Sequence, residues 1–221
     1  MKKHIVIFSH GFGVSKDDRG LFTDIAGYFP NIEAVLFDYN EYDEGSSALL
    51  VRPFSEQARI LEQTIKDVRR ENPDAVVDLL CHSQGCIIAG LIETEGLRRI
   101  ILLAPPVATG IEGMIKMFGS RPGAIVDLEG TSSFPRRDGS TTLVPRQYWV
   151  ERQSTVPMDL YNELRPLEEV VLVKATRDEV LGDTDLSGIN PAVHIIEIDS
   201  RHDFTGEVRG RLLSVLSVYL E

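Results

Sequence analysis

Short apolar runs recur along the chain and alternate with stretches in which apolar positions return every three or four residues. His4–Ser9 (HIVIFS) is β-branched and nearly all apolar, which predicts a strand covered on both faces. Residues 16–29 place Leu21, Phe22, Ile25 and Phe29 at helical spacing, and residues 31–39 predict a second strand. Residues 40–53 are polar and read as a loop. A helix is expected from Ser55, a suitable N-cap, to about Arg70, with Ala58, Leu61, Ile65 and Val68 on one stripe and Asn72-Pro73-Asp74 as its stop. Ala75 opens a third strand that runs through Cys81-His82-Ser83-Gln84-Gly85 into a small-residue helical pattern ending near Gly96.

Residues 99–104, residues 168–175 and His194–Ile198 predict three further strands. Residues 203–220 predict a closing helix with Val208, Leu212, Val215, Leu216 and Tyr219 on one face. Six strands interleaved with helices predict an α/β domain: a doubly wound, mostly parallel six-stranded sheet with helices on both faces. Residues 107–166 break this rhythm between the fourth and fifth strands. They hold helical pieces around Ile111-Met114-Ile115-Phe118 and Met158-Tyr161-Leu164, with a loop-rich stretch between them. An insertion of that length at the carboxyl end of a parallel sheet reads as a lid. The expected organisation is therefore a single domain over residues 1–221 with residues 107–166 as its lid.

Composition narrows the function classes. A chain of 221 residues with 43% hydrophobic and 26% charged residues fits one globular domain. Its formal net charge of −11 argues against a nucleic-acid partner, which needs a basic face. No apolar run approaches the ~20 residues of a membrane span or the ~7–15 of a signal-peptide core. Cys81 and Cys86 flank a strand-to-helix turn that a disulfide between them would distort. A cytoplasmic protein without cofactor is expected, with a small-molecule acyl substrate as its partner and its oligomeric state left open.

The chemistry starts at Ser83. A strand that turns abruptly into a helix, with serine at the turn and glycine two residues on, has the geometry of a nucleophile elbow. Cys81 replaces the first glycine of the usual G-x-S-x-G pattern. A serine hydroxyl needs a base, and the base needs an orienting acid. In a doubly wound sheet these groups collect beyond the carboxyl ends of the strands. Asp178 follows the fifth strand and His202 follows the sixth, in the order Ser…Asp…His. Glu179, Asp183 and Asp185 lie close enough to Asp178 for a shift of the loop to substitute one of them. His10-Gly11-Phe12-Gly13, directly after the first strand, suggests a loop whose backbone N–H groups can face a ligand. His82 and His10 read as structural residues and Cys86 as helix core. Arg136-Arg137 reads as a solvated loop pair that an anionic substrate could also meet.

These motifs together resemble the α/β-hydrolase superfamily, in a short form lacking the first antiparallel strands, and the resemblance covers essentially the whole chain. It implies Ser83 as nucleophile, His202 as general base and then acid, and Asp178 as the orienting acid. It also implies an oxyanion hole formed by the backbone N–H groups of Phe12 and Gln84. Met114, Phe118, Trp149 and Tyr161 of the lid are expected to line an apolar acyl pocket. The leading expectation is a serine hydrolase, a carboxylesterase, acting on a small or medium acyl substrate. Thioesterase, acyltransferase or peptidase activity on the same fold is the first alternative, and a non-catalytic binding protein the second.

Overall fold

The computed structural model describes residues 2–221. In chain order the strands are β1 (His4–Ser9), β2 (Glu33–Leu36), β3 (Glu41–Asp43), β4 (Ala48–Leu50), β5 (Val76–His82), β6 (Arg99–Leu103), β7 (Thr131–Pro135), β8 (Thr141–Pro145), β9 (Glu169–Ala175) and β10 (His194–Ile198). The helices are α1 (Leu21–Tyr28), α2 (Phe54–Glu71), α3 (Gln84–Gly90), α4 (Ile111–Gly119), α5 (Arg146–Ser154), α6 (Pro157–Glu163) and α7 (Val208–Leu220).

Six strands form one all-parallel sheet in the order β10-β9-β6-β5-β1-β2. The chain leaves β1 toward one edge and returns to β5 on the other side of β1. The order therefore reverses between β1 and β5, where doubly wound sheets open a crevice beyond the strand ends. Register brings those ends level, because Ser9 lies opposite Cys81 and His82 opposite Leu103.

Strand side chains alternate between two cores, as the pleat requires. Ile5, Ile7, Val77, Leu79 and Cys81 join Leu61 and Ile65 of α2 and Ile87 of α3. Val6, Phe8 and Leu80 join Phe22 and Ile25 of α1 and Leu212 and Leu216 of α7. Each large apolar side chain buried in this way contributes about 1.5–3 kcal/mol. Both faces being covered accounts for the unbroken apolar runs in the sequence.

Several local expectations are corrected. Residues 40–53 are not simply a loop, and residues 107–166 do contain strands. The two segments together build a second sheet, β3-β4-β8-β7, in which β4 and β8 run parallel and the other pairs antiparallel. Its strands are only three to five residues long, β3 is fully exposed, and β7 and β8 are rich in Ser and Thr, so their alternation is masked by loop-like composition. Helix α1 begins at Leu21 because Asp18, Arg19 and Gly20 all have positive φ and form a turn. Helix α2 begins at Phe54 after Pro53, and Ser55 directs its N–H and hydroxyl to Glu151 (2.8 and 2.7 Å) instead of capping. Helix α3 stops at Gly90, where a Cβ would lie 2.6 Å from Leu160 of α6. Strand β2 is trimmed to Glu33–Leu36, since beyond it the Tyr39 N–H is drawn to His10 Nε2 (3.0 Å). Helix α7 starts at Val208 because Phe204 and Gly206 hold positive φ before it. Among the described residues, no helix is long and apolar enough to cross a membrane.

Candidate active site

Strand β5 ends at His82, and Ser83 follows it with a φ of 52° and ψ of −123°, where a side chain is rarely found. The turn is held on one side by the Ser83 N–H, which donates to Leu103 O of β6 (2.9 Å). It is confined on the other by Gly85, where a Cβ would sit 2.1 Å from the Ser9 carbonyl oxygen. Glycine at 85 thus follows from the closeness of β1 to the start of α3.

The Ser83 hydroxyl lies 2.9 Å from His202 Nε2, and His202 Nδ1 lies 2.7 Å from Asp178 Oδ2. A carboxylate only accepts, so Nδ1 carries the imidazole proton and Nε2 accepts from the Ser83 O–H. The other oxygen of Asp178 accepts the N–H groups of Val180 (2.9 Å) and Leu181 (2.7 Å). Burial opposes ionisation of Asp178, but the His202 contact and these donors outweigh it and hold its pKa below the ordinary carboxylate value. The acidic neighbours take other places. Glu179 accepts the His202 backbone N–H (3.2 Å), Asp183 pairs with Lys174 (3.3 Å) and Asp185 accepts the Ser187 N–H (2.9 Å).

The loop after β1 is clamped on both sides of Phe12. The Gly11 N–H donates to Asp18 Oδ2 (3.0 Å), and His10 Nδ1 donates to Gly11 O (2.9 Å). His10 Nε2 accepts the Tyr39 N–H, so the ring is neutral with its proton on Nδ1, and burial lowers its pKa accordingly. On the far side, Arg136 Nη1 donates to Gly13 O (2.5 Å). Gln84 is the first residue of α3, so its N–H has no acceptor within the helix. Its side chain is fixed in the interior, accepting from Tyr148 Oη (2.6 Å) and donating to Gln57 Oε1 (3.0 Å).

A second Asp–His pair lies beneath the first. His82 Nδ1 is 2.8 Å from Asp18 Oδ2, and its Nε2 is 3.1 Å from the backbone carbonyl oxygen of His202. Both partners are acceptors, which calls for a doubly protonated ring. Burial works against that charge, but Asp18 overcomes it and raises the pKa of His82; Asp18 in turn is lowered by His82 despite its own burial. Asp18 does not stand out in the sequence, because residues 16–29 read as one helix. The Asp-Arg-Gly ending of the Asp17–Gly20 stretch was its only local signal of a turn. His82, His202 and Asp203 come within 4.8 Å of one another, yet all four imidazole nitrogens already have partners in the bonds above.

The four residues expected to line an acyl pocket divide. Phe118 packs against Phe12 (ring centroids 5.4 Å apart), and Met114 Sδ lies 3.8 Å from Tyr148 Oη beside the same ring system. Trp149 and Tyr161 are each only 1% exposed; the Trp149 indole N–H donates to Ser132 Oγ (3.2 Å) and the Tyr161 hydroxyl to Pro106 O (2.9 Å). Cys81 and Cys86 are free and fully buried, and burial raises both thiol pKa values well above the ordinary one.

The level strand ends, the strained serine after β5 and the two loops that meet it define an α/β-hydrolase fold. Solved structures similar to the chain include Est1E from Butyrivibrio proteoclasticus, at 15% identity and a TM-score of 0.68, covering 99% of this chain and 87% of that one. The esterase domain of a Rhodothermus marinus protein is similar at 14% identity and 0.65, with 97% and 85% covered. The monoacylglycerol lipase of Paleococcus ferrophilus is similar at 13% and 0.66, with 98% and 93% covered. No protein-family model and no curated protein matches the chain. At these identities the likeness carries the fold and leaves the reaction to be argued from the site.

Proposed function

We propose that the chain is a serine hydrolase that cleaves a carboxylic ester of a small or medium acyl group. The observation that carries this reading is the unbroken relay from Ser83 Oγ through His202 to Asp178, at 2.9 and 2.7 Å, on a serine held in a strained turn. In the proposed reaction Ser83 Oγ attacks the ester carbonyl carbon while its proton passes to His202 Nε2. Asp178 stabilises the imidazolium that forms. The oxyanion accepts hydrogen bonds from the N–H groups of Phe12 and Gln84. His202 then protonates the leaving alcohol oxygen as the ester C–O bond breaks. Water, deprotonated by the same imidazole, attacks the acyl-enzyme and releases the acid and the free serine.

Residues 107–166 act in this reading as a cap, with Met114 and Phe118 facing the acyl group and Trp149 and Tyr161 bracing them from within. The esterase and lipase names of the similar structures favour an ester over other acyl bonds. The two free, buried thiols fit a reducing, cytoplasmic setting. Turnover of a series of 4-nitrophenyl esters tests the reading. Wild-type protein is expected to hydrolyse the short and medium members, and Ser83→Ala to lose at least about 10⁴-fold in kcat. Equal rates in the two proteins would overturn the assignment.

A further inference from the structure

In a chain of net charge −11, four arginines gather around the mouth of the Ser83 site. Arg121 stacks on the Phe118 ring (4.6 Å to its centroid), and Phe118 packs on Phe12. The Arg121 guanidinium donates to Pro135 O (3.0 Å), the last residue of β7 before the hairpin turn that carries Arg136 and Arg137. Arg136 is fastened to Gly13 O and reaches Asp138 at 3.5 Å. Arg19 pairs with Asp203 (3.0 Å), the residue next to His202. Among the described residues, Arg121 and Arg137 make no ion pair. Partial burial lowers the pKa of Arg121, and the charges acting on it, from Arg137, Arg136 and Arg19, push the same way. With Arg136 and Arg19 paired to carboxylates and Asp18 paired to His82, Arg121 and Arg137 are left without a carboxylate partner of their own beside the loop that carries Phe12. Like charges so gathered destabilise one another unless an anion joins them.

We propose that this edge binds a negatively charged group, a carboxylate or a phosphate, carried by the ester substrate, with Arg121 and Arg137 as its principal contacts. The inference rests on the hydrolase reading for the scissile bond but can be tested without turnover. Guanidinium groups suit such anions because they donate paired hydrogen bonds. Anchoring the anion beside Phe12 would place the substrate carbonyl near Ser83.

Equilibrium binding to Ser83→Ala protein reads this directly. One pair of ligands is 4-nitrophenyl hemisuccinate and neutral 4-nitrophenyl butyrate, which places a carboxylate on the acyl side. The other is monobutyrylglycerol phosphate and neutral monobutyrin, which places a phosphate on the alcohol side. The anionic member of at least one pair is expected to bind about tenfold more tightly at low salt, and the pair identifies which anion is meant. Adding Arg121→Gln and Arg137→Gln is expected to abolish that preference. Should the combined variant fail to fold, Arg137→Gln alone, at an exposed position, is expected to reduce it. Equal affinities within both pairs, or a preference that survives the arginine substitutions and 0.5 M salt, would overturn the proposal. Failure of wild-type protein to hydrolyse any ester would sink the hydrolase reading instead, and these affinities would remain readable.

Discussion

His82 Nε2 donates to the backbone carbonyl oxygen of His202 across 3.1 Å, so the residue before the candidate nucleophile grips the chain that carries the candidate base. The grip extends to Asp18, which holds the other nitrogen of His82 and also the Gly11 N–H beside Phe12. One buried carboxylate thereby ties together the nucleophile turn, the base loop and the loop of the proposed oxyanion hole. We assign His82 and Asp18 positioning roles, since neither reaches the Ser83 hydroxyl in these bonds.

Replacing His82 is therefore expected to lower kcat more than it changes KM. His82→Ala should lose about 10²-fold in kcat, the scale of a small misplacement of a catalytic group. His82→Gln keeps an N–H that can reach the His202 carbonyl and should recover part of that loss. Steady-state kinetics on a neutral ester checks this; equal losses in the two variants would point to general unfolding.

Asp18→Asn should destabilise the fold by about 3–5 kcal/mol near pH 6, because it leaves a buried imidazolium without its counter-ion. Denaturant unfolding at that pH is the measurement. A change below ~1 kcal/mol would mean that the pair is not charged.

The opposite pKa shifts of buried His82 and His10 predict a stability maximum near pH 6.5. His82 has a folded pKa above the ordinary 6.5, so its contribution is complete below pH 6.5 and is lost as pH rises through the folded value. His10 has a folded pKa below 6.5, so its contribution is complete above pH 6.5 and is lost as pH falls through the folded value. Asp18 is lowered from 3.8, so its share is lost at still more acidic pH. Unfolding free energies from pH 4 to 9 should trace this dome, and Asp18→Asn should flatten its alkaline side.

Cys81, the one departure from the G-x-S-x-G pattern, packs in the core beneath the elbow with no exposure. Cys81→Ala should keep kcat/KM within about threefold while costing about 1 kcal/mol for the lost sulfur volume. A large loss of activity at unchanged stability would give the thiol a chemical part.

Much of this arrangement is legible in the chain before any coordinates. Apolar runs such as HIVIFS mark the buried parallel strands because a strand covered on both faces has no polar side to disguise it. Ser83 and Asp178 stand out because each closely follows such a strand, and His202 because it follows the short edge strand β10 just before the closing helix. The second sheet is hidden because Thr131–Pro135 and Thr141–Pro145 are short, half-exposed and Ser/Thr-rich. Asp18 is hidden because its role depends on a left-handed turn and on a partner 64 residues away, neither of which leaves a periodic trace. The arginines around the mouth come from three separate segments and become neighbours only in the fold.

Covalent labelling tests the central claim most directly. Treatment with a fluorophosphonate, followed by peptide mass analysis, should place one phosphonyl adduct on Ser83, abolish ester hydrolysis in step with labelling, and leave Ser83→Ala unmodified. An adduct on another residue, or full labelling and turnover in Ser83→Ala, would contradict the account.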